Sequence, residues 1–211
     1  MTMTDNKNGA PLEHYRALFS VSEPEALSLR SGVKFESGAF RIRLLGREVS
    51  ISHPDMTATY ADDGSAAPPS VTVLLSRLIL EGTLTEGTGR FCAYSELPWG
   101  SVYNAQFTAR CIRRLAAAWG NRPDALAKAC EALGGTAISG ADTAYELPFI
   151  EGLRLRLYLW SADEEFPASA QLLFSDNFAA AFSAEDIAVA GDILILALKK
   201  ALEEQYICSD K

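Results

Sequence analysis

Apolar positions at helical spacing open the chain: Leu12, Tyr15, Leu18 and Phe19 share one stripe, and a second short helix is predicted over 24–29, between a Ser22 cap and Gly32. From Phe35 to His53 the period drops to two. Phe40, Ile42 and Leu44 alternate with Arg41 and Arg43; past a turn at Gly46, Val49, Ile51 and His53 alternate with Glu48, Ser50 and Ser52, which is the pattern of a hairpin with one apolar face. A loop rich in Asp, Gly, Ala and Pro over 61–70 hands over to a helix over 71–80, and 82–101, with its glycines, Pro98 and aromatics, reads as irregular. Two helices follow: 104–119, with Phe107, Cys111, Leu115 and Ala118 on one stripe, and 123–133, opened by Pro123 and closed by Gly134-Gly135.

Period two then returns. Tyr145, Leu147 and Phe149 form a strand, and after a turn at Glu151-Gly152 the leucines 153, 155, 157 and 159 alternate with Arg154, Arg156, Tyr158 and Trp160. A short strand over 171–175 comes next. Ser183 with Asp186 makes a capping box for a final helix to about Tyr206. Strands in two groups, with helices between and after, predict an α+β fold: a mainly antiparallel sheet of about five strands with helices packed on one face. Residues 1–10 are expected to be disordered and 11–208 to form a single domain.

Composition narrows the function classes. The 211 residues carry 19 Lys plus Arg against 27 Asp plus Glu, a net charge of -8, which opposes a sequence-independent grip on nucleic acid or anionic lipid while leaving room for a local basic face. The longest aliphatic run, Ile193 to Leu198, is far too short to cross a bilayer, and no secretory leader is visible, so a cytoplasmic location is expected. Cys92, Cys111, Cys130 and Cys208 show no metal-binding spacing and read as reduced thiols. The outline of a phosphate loop from Gly82 to Gly89 lacks the lysine that reaches the phosphates, and His14 and His53 are too few for a histidine-centred triad or a multi-histidine metal site.

Three features carry candidate chemistry. Asp163 and Glu165, in the run Asp163-Glu164-Glu165 before Phe166-Pro167, would point to one side about 6–7 Å apart if the chain stays extended; they are the candidate metal ligands or acid/base pair, with His53 as a third group, and the competing reading is a solvated turn. Arg41, Arg43, Arg154, Arg156, Tyr158 and Trp160 project from the polar side of the strands as an anion-binding or acidic-partner surface, against plain cross-strand pairing with Glu36, Glu48 and Glu146. The segment from Pro98-Trp99-Gly100 to Tyr103, opening a helix, offers an aromatic wall beside free backbone N–H groups, against core packing of Trp99.

The combination Glu96-Leu97-Pro98-Trp99-Gly100, Tyr103, Phe107, Leu133-Gly134-Gly135, Trp160, Asp163-Glu164-Glu165-Phe166-Pro167 and Leu172-Leu173-Phe174 resembles a bacterial and archaeal family classed as a domain of unknown function, family 3786. The resemblance runs from the first helix to the last. It implies an anaerobic, redox-linked or one-carbon (corrinoid) neighbourhood, because some members are fused to cysteine-rich iron–sulfur domains; this chain has no such cysteine cluster. The reading that follows is an accessory or ligand-binding module using Trp99, Tyr103, Arg154, Arg156, Trp160 and Phe166, with a redox or corrinoid protein as partner. The alternative is a metal-dependent enzyme using Asp163 and Glu165. A homodimer seamed by the aliphatic run of the last helix is a third expectation.

Overall fold

The computed structural model describes residues 6–209, with side chains from 12 to 204. The α+β class holds and every strand pairing is antiparallel, but the strands divide between two sheets. The first takes β1 (Lys34–Glu36), β2 (Ala39–Leu44), β3 (Arg47–Ser52) and β4 (Ala58–Tyr60) in chain order. Its register sets Phe40 opposite Ile51 and Ile42 opposite Val49, all buried, and leaves Arg41 and Arg43 on the wet side.

The turn between β2 and β3 joins the two sheets. Leu45 and Gly46 both have positive φ, 47° and 85°, as a two-residue hairpin turn of matching twist requires. A leucine in that region costs about 1–2 kcal/mol. Two contacts offset it: the Leu45 side chain is buried, and its N–H donates to the Phe149 carbonyl of the second sheet at 2.8 Å.

That second sheet consists of β5 (Phe91–Ala93), β6 (Thr136–Ala137), β7 (Thr143–Ile150), β8 (Leu153–Trp160) and β9 (Ser169–Ser175), in the order β5-β9-β8-β7-β6. Leu153, Leu155, Leu157 and Leu159 are at most 1% exposed. Helix α6 (Pro123–Ala132) packs over β7. Over β8 and β9 lies a continuous rod made of α4 (Gly100–Phe107), a π-helical turn (Thr108–Ile112) and α5 (Arg113–Trp119). The rod starts at Gly100 rather than at Asn104, and the irregular stretch before it contains the edge strand β5, which only its pairing with β9 reveals.

Helices α1 (Asn6–Val21), α2 (Pro24–Ser31) and α3 (Pro69–Glu81) pack together, α3 leans on the final helix α8 (Ala184–Ser209), and the short α7 (Phe178–Ala181) leads into it. The polar start expected over residues 1–10 lies outside the described residues as far as residue 5, and the backbone is helical from Asn6. The capping box of α8 forms as expected: the Ser183 N–H and hydroxyl donate to the Asp186 carboxylate at 3.2 and 2.7 Å, and the Asp186 N–H donates back to Ser183 Oγ at 3.3 Å. Asp186 also pairs with Arg77 at 3.0 Å, while burial pushes its carboxyl up against the pull of Ser183 and Arg77.

Helix α8 is enclosed on nearly every side. Ile193, Leu194, Ile195 and Leu198 are buried by the chain itself, so intrachain packing accounts for the aliphatic run that suggested a dimer seam; only Leu196 stands out, 54% exposed. No helix among the described residues is long and apolar enough to cross a membrane. Helix α8 and the rod are in close contact, where a Cβ built on Gly191 would lie 2.8 Å from Cys111 Sγ. Overpacking there costs about 1–3 kcal/mol, more than the roughly 1 kcal/mol that alanine gains over glycine in a helix. Gly191→Ala should therefore lower the denaturant midpoint, and adding Cys111→Ala should restore it; an unchanged midpoint in the single variant would show that the two helices are not in close contact.

Candidate functional site

The segment ahead of the rod is built to hold one residue out. Glu96 accepts the Ala93 N–H at 2.6 Å, closing a single 3-10 turn (Tyr94–Glu96). Tyr94 is buried, stacks on Phe107 with ring centres 4.0 Å apart, and donates its hydroxyl to the Ala184 carbonyl at 2.8 Å. Leu97 is buried, and its N–H donates back to the Tyr94 carbonyl. Gly100 sits so close that a Cβ on it would fall 1.8 Å from that same carbonyl oxygen, so no larger residue fits. Between these anchors Trp99 adopts φ +63° and is 74% exposed. Val102 and Tyr103 are exposed three and four residues further on, which puts both on the helix face that Trp99 begins.

The polar side of the second sheet is a different surface. Glu146 takes both Arg154 and Arg156, the latter at 2.9 Å, and the Arg156 guanidinium lies 3.9 Å over the Phe91 ring. Tyr158 and Trp160 stack with ring centres 6.1 Å apart. In the first sheet Arg41 pairs with Glu48 at 2.7 Å. The cross-strand carboxylates thus occupy these guanidiniums. Trp99 and Tyr103 are exposed at the start of the rod, which packs on the leucine side of the sheet, while Arg154, Arg156 and Trp160 alternate with the buried leucines on its polar side.

The acidic block forms a turn. Asp163 Oδ1 accepts the N–H groups of Glu165 and Phe166 at 2.9 and 2.7 Å, which holds its carboxyl below the usual range, and Phe166 is left 66% exposed. His53 is elsewhere, its Nε2 3.0 Å from the carbonyls of Phe19 and Ser22 at the end of α1. Among the described residues no three His, Cys, Asp or Glu side chains converge as metal ligands, so Asp163, Glu165 and His53 are not brought together. The glycine loop is clasped by the β9–α7 turn: Asp176 takes the Thr88 N–H and hydroxyl at 3.1 and 2.5 Å, and Asn177 donates to the Thr85 and Gly152 carbonyls. Burial pushes the Cys111 and Cys130 thiols up to about 12, so at neutral pH both are protonated and poor nucleophiles. Cys208 lies outside the described side chains.

One feature emerges only in three dimensions. The rod and α8 run side by side in the same direction, as Tyr94 on Ala184, Cys111 on Gly191 and Trp119 beside Leu202 show. Along their seam Asp192 takes Arg110 and Arg114, and beyond it Ala118, Trp119, Arg122, Lys199, Leu202 and Glu203 line a pocket of about 280 Å³. The signal in the sequence is the absence of any carboxylate between Glu96 and Asp124, a stretch holding four arginines.

A family model described as Domain of unknown function (DUF3786) matches residues 23–197. The chain belongs to the DUF3786 family. The match takes in both sheets, the Trp99 turn, the rod and the acidic turn of this DUF3786 domain. No curated protein and no solved structure matches the chain.

Two measurements probe these surfaces. A left-handed tryptophan costs about 1–2 kcal/mol and glycine is free of that cost, while its extra freedom when unfolded returns part of the gain. Trp99→Gly should therefore raise stability by up to about 1 kcal/mol in denaturant titration, whereas a loss of that size would assign Trp99 to packing. On the sheet, burial raises the Glu146 carboxyl, and its bonds to Arg156 and Arg154 more than reverse this, holding it below its ordinary value near 4.5. Its contribution is therefore complete above that value and is lost as pH falls through the lower folded one. Glu146→Gln should flatten the acid-side fall in stability below about pH 5; an unchanged slope would uncouple Glu146 from its arginines.

Proposed function

We propose that the chain is a binding module whose contact surface is the aromatic cluster of Trp99, Val102 and Tyr103. The observation that carries this is the exposed, left-handed Trp99, held out by neighbours that are buried or hydrogen-bonded. An exposed tryptophan adds nothing to the core, and a non-glycine residue in that conformation points to a purpose for its side chain. Tyr158 and Trp160, stacked on the polar face of the second sheet, form a secondary surface of the same kind.

The metal-dependent alternative through Asp163 and Glu165 draws no support from the turn, where one Asp163 oxygen is already taken up by backbone N–H groups. The family resemblance alone supplies a redox or corrinoid protein as partner; the site itself supplies an apolar, aromatic contact.

The test uses a defined aromatic probe. Anilinonaphthalene sulfonate should bind the folded protein with enhanced fluorescence, and Trp99→Ala with Tyr103→Ala should remove most of the enhancement without changing the circular dichroism. Enhancement that survives in the double variant would place the binding surface elsewhere. A melting shift on adding cobalamin, flavin mononucleotide or ATP, retained in that variant, would replace this reading with a small-ligand site.

A further inference from the structure

The furrow between the rod and α8 has a charge opposite to that of the molecule. Arg110, Arg114, Arg122 and Lys199 line it against two carboxylates, Asp192 and Glu203, while the whole chain carries -8. Arg110 and Arg114 already share Asp192 and still expose nearly half of their side chains. Arg122 donates to the Ala118 carbonyl at 2.8 Å, with its guanidinium carbon 5.6 Å from the Trp119 ring centre, which draws the cation toward the pocket. Between the cations the lining is apolar: Ala118, Leu202 and the edge of Trp119 in the pocket, and Leu196, one turn beyond Asp192 on the same face of α8. Arg113 adds a further exposed cation on α5, with no carboxylate partner among the described residues.

We infer that this furrow docks an acidic segment of a partner protein, its carboxylates on the row of cations and an apolar side chain in the pocket. The inference rests on the reading of the chain as a binding module and names the partner's chemistry. Charge complementarity selects the occupant. At physiological salt, charges more than about 8 Å apart are largely screened, so a short segment lying in the furrow meets mainly its local surplus of cations. A nucleic acid or an anionic bilayer presents a long array of negative charge that overruns the furrow on to the acidic remainder of the surface. Arginine forks also suit carboxylates, and an apolar anchor between charged rims is how peptide segments are commonly held.

A fluorescein-labelled helical peptide of Glu and Leu, titrated against the full chain by anisotropy, tests this. Binding should weaken as salt rises. Lys199→Glu and Arg114→Glu should each weaken it by about tenfold or more, since like charges then face each other across the contact. Lys199 forms no ion pair among the described residues, so its variant leaves the fold intact; Arg114→Gln checks the effect at the second position without placing a new charge opposite Asp192. No binding, or equal binding by the charge-reversed variants, overturns the furrow. So does tighter binding of a single-stranded oligonucleotide or of phosphatidylserine vesicles. Trp99→Ala in the same titration separates the two readings: loss of binding there alone overturns the furrow and leaves the aromatic surface standing.

Discussion

The helix that needs the most cover decides where everything else goes. A helix apolar on nearly all sides must be enclosed, and α8, with Ile187, Leu194, Ile195 and Leu198 essentially inaccessible, cannot rest on a single partner. The rod closes one side and α3 another, with α6 beside them. Gly191 lets the rod approach to the distance at which Cys111 Sγ touches the α8 backbone, and the Cys111 thiol lies 3.5 Å from the Ala188 carbonyl. The π-helical turn falls at this contact. There Arg110 and Arg114, four residues apart, both reach Asp192, and Cys111 faces Gly191. The candidate surfaces follow from that placement, because the Tyr94 hydroxyl on Ala184 anchors the turn that displays Trp99.

Joining two sheets is the second constraint. The first sheet has four strands and only short outer ones, and small sheets need a neighbour to bury their apolar face. Leu45 provides the link by accepting an unfavourable backbone conformation in exchange for a buried side chain and a hydrogen bond to β7. The buried residues of both sheets and of the helices consequently belong to one hydrophobic cluster.

Features set by neighbours in sequence were legible before the structure. Alternation placed Phe40, Ile42 and Leu44 and the leucines of β8 on buried faces, and Ser183 with Asp186 announced the cap of α8. Cross-strand pairing was open as one of two readings of the arginines, and the register of β7 and β8 decides for Glu146 as their partner. What stayed hidden depends on partners far along the chain. Alternation does not say which strand edge a hairpin joins, so the division into two sheets was invisible. Three-residue β5 has too few positions to show a period and exists through β9. The furrow needs Arg114 from α5 and Asp192 and Lys199 from α8, and only helix packing brings them together.

The Trp99 turn shows why strain and rigidity go together at this surface. A flexible loop could expose a tryptophan without backbone strain, but it would lose that freedom on binding, at about 1–2 kcal/mol for each residue ordered. Here the ordering is complete beforehand: Glu96 caps, Leu97 and Tyr94 are buried, and Gly100 locks the approach to the Tyr94 carbonyl. The strain in one residue is comparable to the entropy of ordering one residue, while the turn spares several. The left-handed conformation of Trp99 is therefore held by a turn that is already rigid, and the core beneath it, from Tyr94 to Phe107, is what keeps the residue from relaxing.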